Sequence, residues 1–139
     1  MLEIIPAILT NDPKELEEKI RQVEGLAGRV QIDIVDGIFA DNKTVSLEAV
    51  ANIDTDILLD IQLMTKEPTD WVERAVRAMA DRVIGHIEMM SDQMAFVAKV
   101  AETGEKVGLA IDSSTPISAL DTVVLNNLDV VLVMSVKAG

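Results

Sequence analysis

Strand and helix signals alternate along this chain at a period of roughly 25 residues, which predicts an α/β fold of consecutive right-handed βαβ units on a parallel sheet. Two architectures accept that pattern. A doubly wound, flavodoxin-like sheet suits 139 residues well. A (β/α)8 TIM barrel typically takes about 250 residues, so this chain would supply its first part. The strand faces separate the two. Central strands of a doubly wound sheet are covered on both sides and read as near-continuous apolar runs. The stretches 29–37 and 60–64 instead carry polar residues on one face only, as barrel strands do where they line a site. The expected fold is therefore a partial (β/α)8 TIM barrel of about six parallel strands and five helices, one domain over residues 1–139, with the doubly wound flavodoxin-like sheet as the alternative.

The first strand reads Ile4 to Leu9. Asp12 then suits a cap, Pro13 the first helical position, and Glu15 the capping-box position, with Leu16, Ile20 and Val23 inward until Gly25. The second strand is Arg29 to Val35, closed by Asp36-Gly37. Ser46 to Ile53 reads as a short helix with Leu47 and Val50 inward, and Ile57 to Met64 as the third strand. Pro68 and Thr69 open a helix striped with Trp71, Val72, Ala75, Val76 and Met79. Arg82 to Ile87 is the fourth strand, followed by a helix from Asp92 to Glu102 that Gly104 stops. Val107 to Ile111 is the fifth strand. Thr115-Pro116 opens a fifth helix running to about Leu125, and Val130 to Val136 is the sixth strand.

Composition narrows the function. The chain has no cysteine, which removes disulfides, thiolate metal sites and cysteine nucleophiles, and one histidine, which removes multi-histidine metal sites. A formal charge of −12 repels a phosphate backbone, and two Phe and one Trp offer little to stack on bases, so nucleic acid is not expected as a partner. No apolar run is long enough to span a bilayer, and Met1-Leu2-Glu3 lacks the basic flank of a signal peptide, so no membrane partner and a cytoplasmic setting are expected.

Side chains alternate along a strand, so Gln31, Asp33 and Val35 share one face while Val30, Ile32 and Ile34 share the other. Asp60, Gln62 and Met64 repeat the polar stripe on the third strand. Two readings stand at this level: a site at a barrel mouth, or a polar cluster satisfied by its own hydrogen bonds or buried water. His86 and Glu88 share a face at the end of the fourth strand, where a hydrogen-bonded structural histidine is favoured over a mouth acid or base. Asp36 with Gly37 reads as a turn former, Asp60 as part of a structural salt bridge or network, and Lys137 as a solvated lysine.

In order along the chain, Pro6-Ala7-Ile8-Leu9, Asp33-Ile34-Val35-Asp36-Gly37-Ile38-Phe39 with Asn42, Asp60-Ile61-Gln62-Leu63-Met64, His86-Ile87-Glu88, Thr115-Pro116 and Met134-Ser135-Val136 resemble the ribulose-phosphate 3-epimerase family. That resemblance implies a (β/α)8-barrel sugar-phosphate epimerase. Such an enzyme moves a proton off and back onto the carbon beside a ketone, with a carboxylate on each face of it and a divalent metal held by two His and two Asp. It further implies that Asp33 is the first catalytic and metal-binding Asp, and that Gln62, Met64, Met134 and Ala7 lie at substrate-contacting positions.

The departures from the family pattern are specific. Gln31 and Gln62 stand at both metal-histidine positions, Val35 replaces a lumen methionine, and Ala7 replaces a common substrate-contacting Ser. A divalent metal is therefore expected to bind weakly or not at all. The resemblance puts the second catalytic Asp and most of the phosphate loop beyond Gly139, so a truncated chain inactive by itself is expected. A small-molecule sugar phosphate is the expected partner. Open sheet edges suggest a homo-oligomer, and a noncatalytic partial-barrel module that assembles through those edges is the alternative function.

Overall fold

A computed structural model describes residues 1–139 of the chain. Six strands form one parallel sheet in strictly sequential order: β1 (Ala7–Ile8), β2 (Arg29–Val35), β3 (Leu58–Met64), β4 (Ala80–His86), β5 (Lys106–Ile111) and β6 (Val130–Val133). The order never reverses, which excludes the flavodoxin-like alternative, since that fold needs a switch in strand order. The helices α1 (Pro13–Val23), α2 (Leu47–Ala51), α3 (Val72–Arg77) and α4 (Gln93–Thr103) pack on one face of the sheet. A single core of 26 buried residues joins Val30, Ile32 and Ile34 of β2 to Leu16 and Ile20 of α1, Val72 and Ala75 of α3, and Phe96 and Val100 of α4. The sheet curls as a partial TIM barrel, and its other face is the lumen.

Four helices replace the expected five. Between β5 and β6 the chain makes only two 3-10 turns, Ile117–Ala119 and Leu125–Asn127. Gln93 explains the interruption: its Nε2 donates to the Ala119 carbonyl (2.9 Å) and its Oε1 accepts from the Asp121 N–H (2.8 Å). Asp121 Oδ1 then takes the Val123 N–H at 2.9 Å. Backbone groups that a continuous helix would pair internally are already bonded to side chains.

Other boundaries shift for local reasons. Strand β1 pairs over two residues rather than running from Ile4 to Leu9, since Pro6 has no N–H and only β2 flanks this edge. Helix α3 follows a 3-10 turn at Pro68–Trp71 and stops at Arg77, because Met79 adopts a left-handed φ of 63° and is exposed rather than buried in the expected stripe. Glu15 does not close a capping box. Its carboxylate accepts from the Thr10 hydroxyl, while Asp12 alone caps α1 through the Lys14 N–H (2.9 Å).

Candidate functional site

The β2–β3 register sets Gln31 beside Asp60, Asp33 beside Gln62 and Val35 beside Met64, so the polar stripes of the two strands merge on the lumen face. They sort by depth. At the N-terminal end of the strands Asp60, 1% exposed, pairs with Arg29 (2.5 Å) and with Arg82. Arg29 also reaches Asp81 at 2.7 Å, and Lys106 reaches the same carboxylate at 3.0 Å. This is the structural salt bridge or network expected of Asp60, with cations that sequence spacing could not name. The alternating reading placed Asp60 on the lumen face but gave no sign of which cations would meet it.

At mid-strand the two amides join. Gln31 Nε2 donates to Gln62 Oε1 (2.5 Å) and to Asp33 Oδ1 (2.9 Å). Gln62 Nε2 reaches His86 Nε2 (2.7 Å) and the Met134 sulfur (3.4 Å). His86, the sole histidine, is fully buried, and its Nδ1 lies 3.2 Å from Glu88 Oε2. Glu88 in turn accepts the Asp112 N–H. Five side chains from three strands and the turn after β4 thus form one continuous hydrogen-bonded chain from Asp33 to Glu88. Phe39 closes its mouth side, with its ring edge-on to His86 at a centroid distance of 5.0 Å. The sequence placed His86 and Glu88 on one face; the contact with Phe39, from the β2–α2 loop, had no sequence signal.

Electrostatics distinguish the two ends. Burial pushes the Asp33 carboxyl above its ordinary range, against the opposing pull of the Gln31 N–H and of His86. Burial acts upward on Glu88 too, but His86, the Asp112 N–H, its own N–H and Thr115 outweigh it and hold the carboxyl at about 2. Asp36 is a turn former, as expected. Its carboxylate accepts from the N–H groups of Ile38 (2.8 Å), Phe39 (2.9 Å) and Lys66 (2.8 Å), tying the loops after β2 and β3 together. Burial pushes it up, and those three donors and its own N–H bring it below the usual carboxylate range.

The remaining expected residues divide. Val35 and Met64 are buried in a small apolar cluster with Ala138, against which Phe39, Ala40 and Met134 pack, so both lumen methionines meet at the mouth. Ala7 is exposed on the edge strand, in register with Gln31. Lys137 lines an open pocket of about 500 Å³ at the mouth with Phe39, Asn42 and Asp112.

The side chains present do not fit a divalent cation. Gln62 Oε1 is taken by the Gln31 amide, and the same amide points a proton at Asp33 Oδ1, so neither of these two oxygens is free for a cation. Nowhere do three His, Asp or Glu side chains converge as a ligand set.

Comparison with known proteins bears on this geometry. The chain is 34% identical to a ribulose-phosphate 3-epimerase of Bacillus subtilis (strain 168) across 100% of its own length and 65% of that protein's. It is 35% identical to a chloroplastic ribulose-5-phosphate-3-epimerase of Arabidopsis thaliana, covering 98% of the chain and 50% of the relative. The corresponding enzyme of Synechocystis sp. is 33% identical, with 61% of its length covered. The chain thus spans between half and two thirds of the length of these relatives. Among solved structures, a phosphoribosyl anthranilate isomerase from Thermotoga maritima superposes with a TM-score of 0.59 at 14% identity, over 100% of this chain and 78% of that one, which shows the shared barrel fold. The family model for the ribulose-phosphate 3 epimerase family matches residues 3–139, and the chain belongs to that family.

Proposed function

We propose that this chain carries the proton-abstracting side of a sugar-phosphate epimerase site, with Asp33 as the base. One observation carries the reading. Among the strand carboxylates of the polar stripe, Asp33 keeps an oxygen free: Oδ1 is tied to Gln31, whereas both oxygens of Asp60, and of Glu88 just after β4, are engaged. A carboxyl raised by burial is also closer in basicity to the carbon acid it must deprotonate. The names of the relatives supply the substrate class, a ketose phosphate such as ribulose 5-phosphate.

Inverting a carbon centre needs a second acid on its opposite face. Asp33 by itself can take the C3 proton and return one to the same face. The 139 residues are therefore proposed to exchange that proton with solvent and to give no net epimer. Incubation of ribulose 5-phosphate with the chain in D2O, followed by proton NMR, tests both halves. The expected result is deuterium at C3 with retained configuration, slowed by on the order of 10²-fold in Asp33→Asn. Accumulation of the 3-epimer, or exchange unaffected in Asp33→Asn, would refute the assignment. Divalent metal binding is proposed to be weak, on the donor set described above.

A second reading rests on the sheet edges. Val131 and Val133 of β6 are 38% and 62% exposed, and Leu2 and Ile4 before β1 are 91% and 81% exposed. Edge strands bordered by such side chains favour pairing with another sheet, so a noncatalytic module that assembles through its edges is the competing function.

A further inference from the structure

We infer that Glu88 and His86 are positioning residues that set the amide orientation of Gln62 and Gln31, so that Gln31 presents an N–H, and not its carbonyl, to Asp33. The hydrogen-bond roles follow one from another. An ionised carboxylate only accepts, so Glu88 Oε2, 3.2 Å from the ring, requires a proton on His86 Nδ1. A neutral imidazole protonated there has a lone pair on Nε2. That lone pair, 2.7 Å away, selects the Gln62 NH2 group as its partner. Gln62 must then turn Oε1 toward Gln31, 2.5 Å away, and that oxygen selects the Gln31 NH2 group. The second proton of the same NH2 group falls on Asp33 Oδ1 at 2.9 Å.

Every donor in the chain therefore points the same way relative to Glu88, except the last, which splits between Gln62 and Asp33. Reversing one link forces the reversal of all. With the carbonyl of Gln31 facing an ionised Asp33 at this distance, two acceptors would oppose each other in a part-buried site with no proton between them, an unfavourable contact. Burial supports the unity of the device at its centre, where Gln62 is 1% exposed and His86 0%, while Gln31 and Asp33 at its end are half-buried. The consequence for Asp33 as a base rests on the function proposed above; the amide orientation does not.

The sole histidine makes the test direct. The full chain labelled with 15N in histidine gives one pair of ring-nitrogen signals. Protonated Nδ1 with unprotonated Nε2 is expected at neutral pH, the reverse of the preference of free imidazole side chains. With glutamine also labelled, a coupling between the two nitrogens across the Gln62–His86 hydrogen bond is expected. Glu88→Ala is expected to return the ring to the Nε2–H tautomer, abolish that coupling and shift the side-chain NH2 signals of Gln31, while those of the remote Gln22 stay in place. An Nε2–H tautomer in the unsubstituted chain overturns the inference, and needs no variant to fold. So do Gln31 signals left unmoved in a folded Glu88→Ala. Neither readout involves turnover, so failure of the proposed epimerase chemistry would leave this result standing, and the reverse.

Discussion

Asp33 is held at a cost that a single isosteric change should relieve. Its folded-state value lies above its ordinary one, so its contribution to stability is full at acid pH below the unfolded value and is lost as pH rises through the folded value. Asp33→Asn keeps an oxygen to accept from Gln31 and removes the buried charge. The variant is expected to melt at a higher temperature than the parent at pH 7 while losing proton exchange, and a calorimetric scan across pH 4 to 8 checks the sign. Glu88 behaves oppositely. Depressed from 4.5 to about 2, its stabilisation is present above pH 4.5 and disappears as pH falls through about 2. Comparing parent and Glu88→Gln by urea melts should therefore show a difference on the order of 1 kcal/mol at pH 6, after discounting for solvent screening, and none near pH 2. The glutamines offer a third test at this scale. The pair Gln31→His with Gln62→His removes the amide bonds that block a cation and adds two imidazoles beside Asp33, so titration calorimetry should detect zinc binding in the double variant and much weaker binding in the parent.

At the scale of strands and helices, close approach sets the tightest constraints. A Cβ placed on Gly85 would lie 2.6 Å from the Phe96 ring of α4, so glycine here is what lets the helix seat on β4. Gly85→Ala is expected to cost about 1–3 kcal/mol, measured as a fall in the urea midpoint without change in m-value. The ion network on the lumen floor makes a larger demand. Asp60→Asn would leave Arg29 and Arg82 facing each other without their carboxylate, for a loss of about 3–5 kcal/mol.

These elements also show what a sequence can and cannot disclose. Alternation in 29–35 and 58–64 was legible because the period of a strand fixes which residues share a face, and the merged polar stripe followed from it. The family's ordered motifs located Asp33 and the two glutamines. The expected fifth helix does not form because Gln93, more than twenty residues upstream, intercepts its backbone groups, and such long-range capture leaves no local mark. The same limit hid the direction of the amide chain, which depends on a carboxylate two strands away from Gln31.

At the scale of the whole chain, the proposed assembling module has a direct test. Sedimentation velocity over a hundredfold concentration range should reveal dimers or larger species if the exposed β6 edge pairs; a concentration-independent monomer would count against the assembling module. The strictly sequential strand order has a different consequence, one for how the fold is made. Every strand lands beside the one synthesised before it, so no part of the sheet waits for a distant segment to arrive. Asp60 gains most from this. Arg29, 31 residues earlier, is already in place when the buried carboxylate leaves the ribosome, and Arg82 follows 22 residues later. The most deeply buried carboxylate in the molecule is thus never without a counter-ion during vectorial folding, and exchanging the order of its two neutralising steps by circular permutation should slow refolding without changing the final structure.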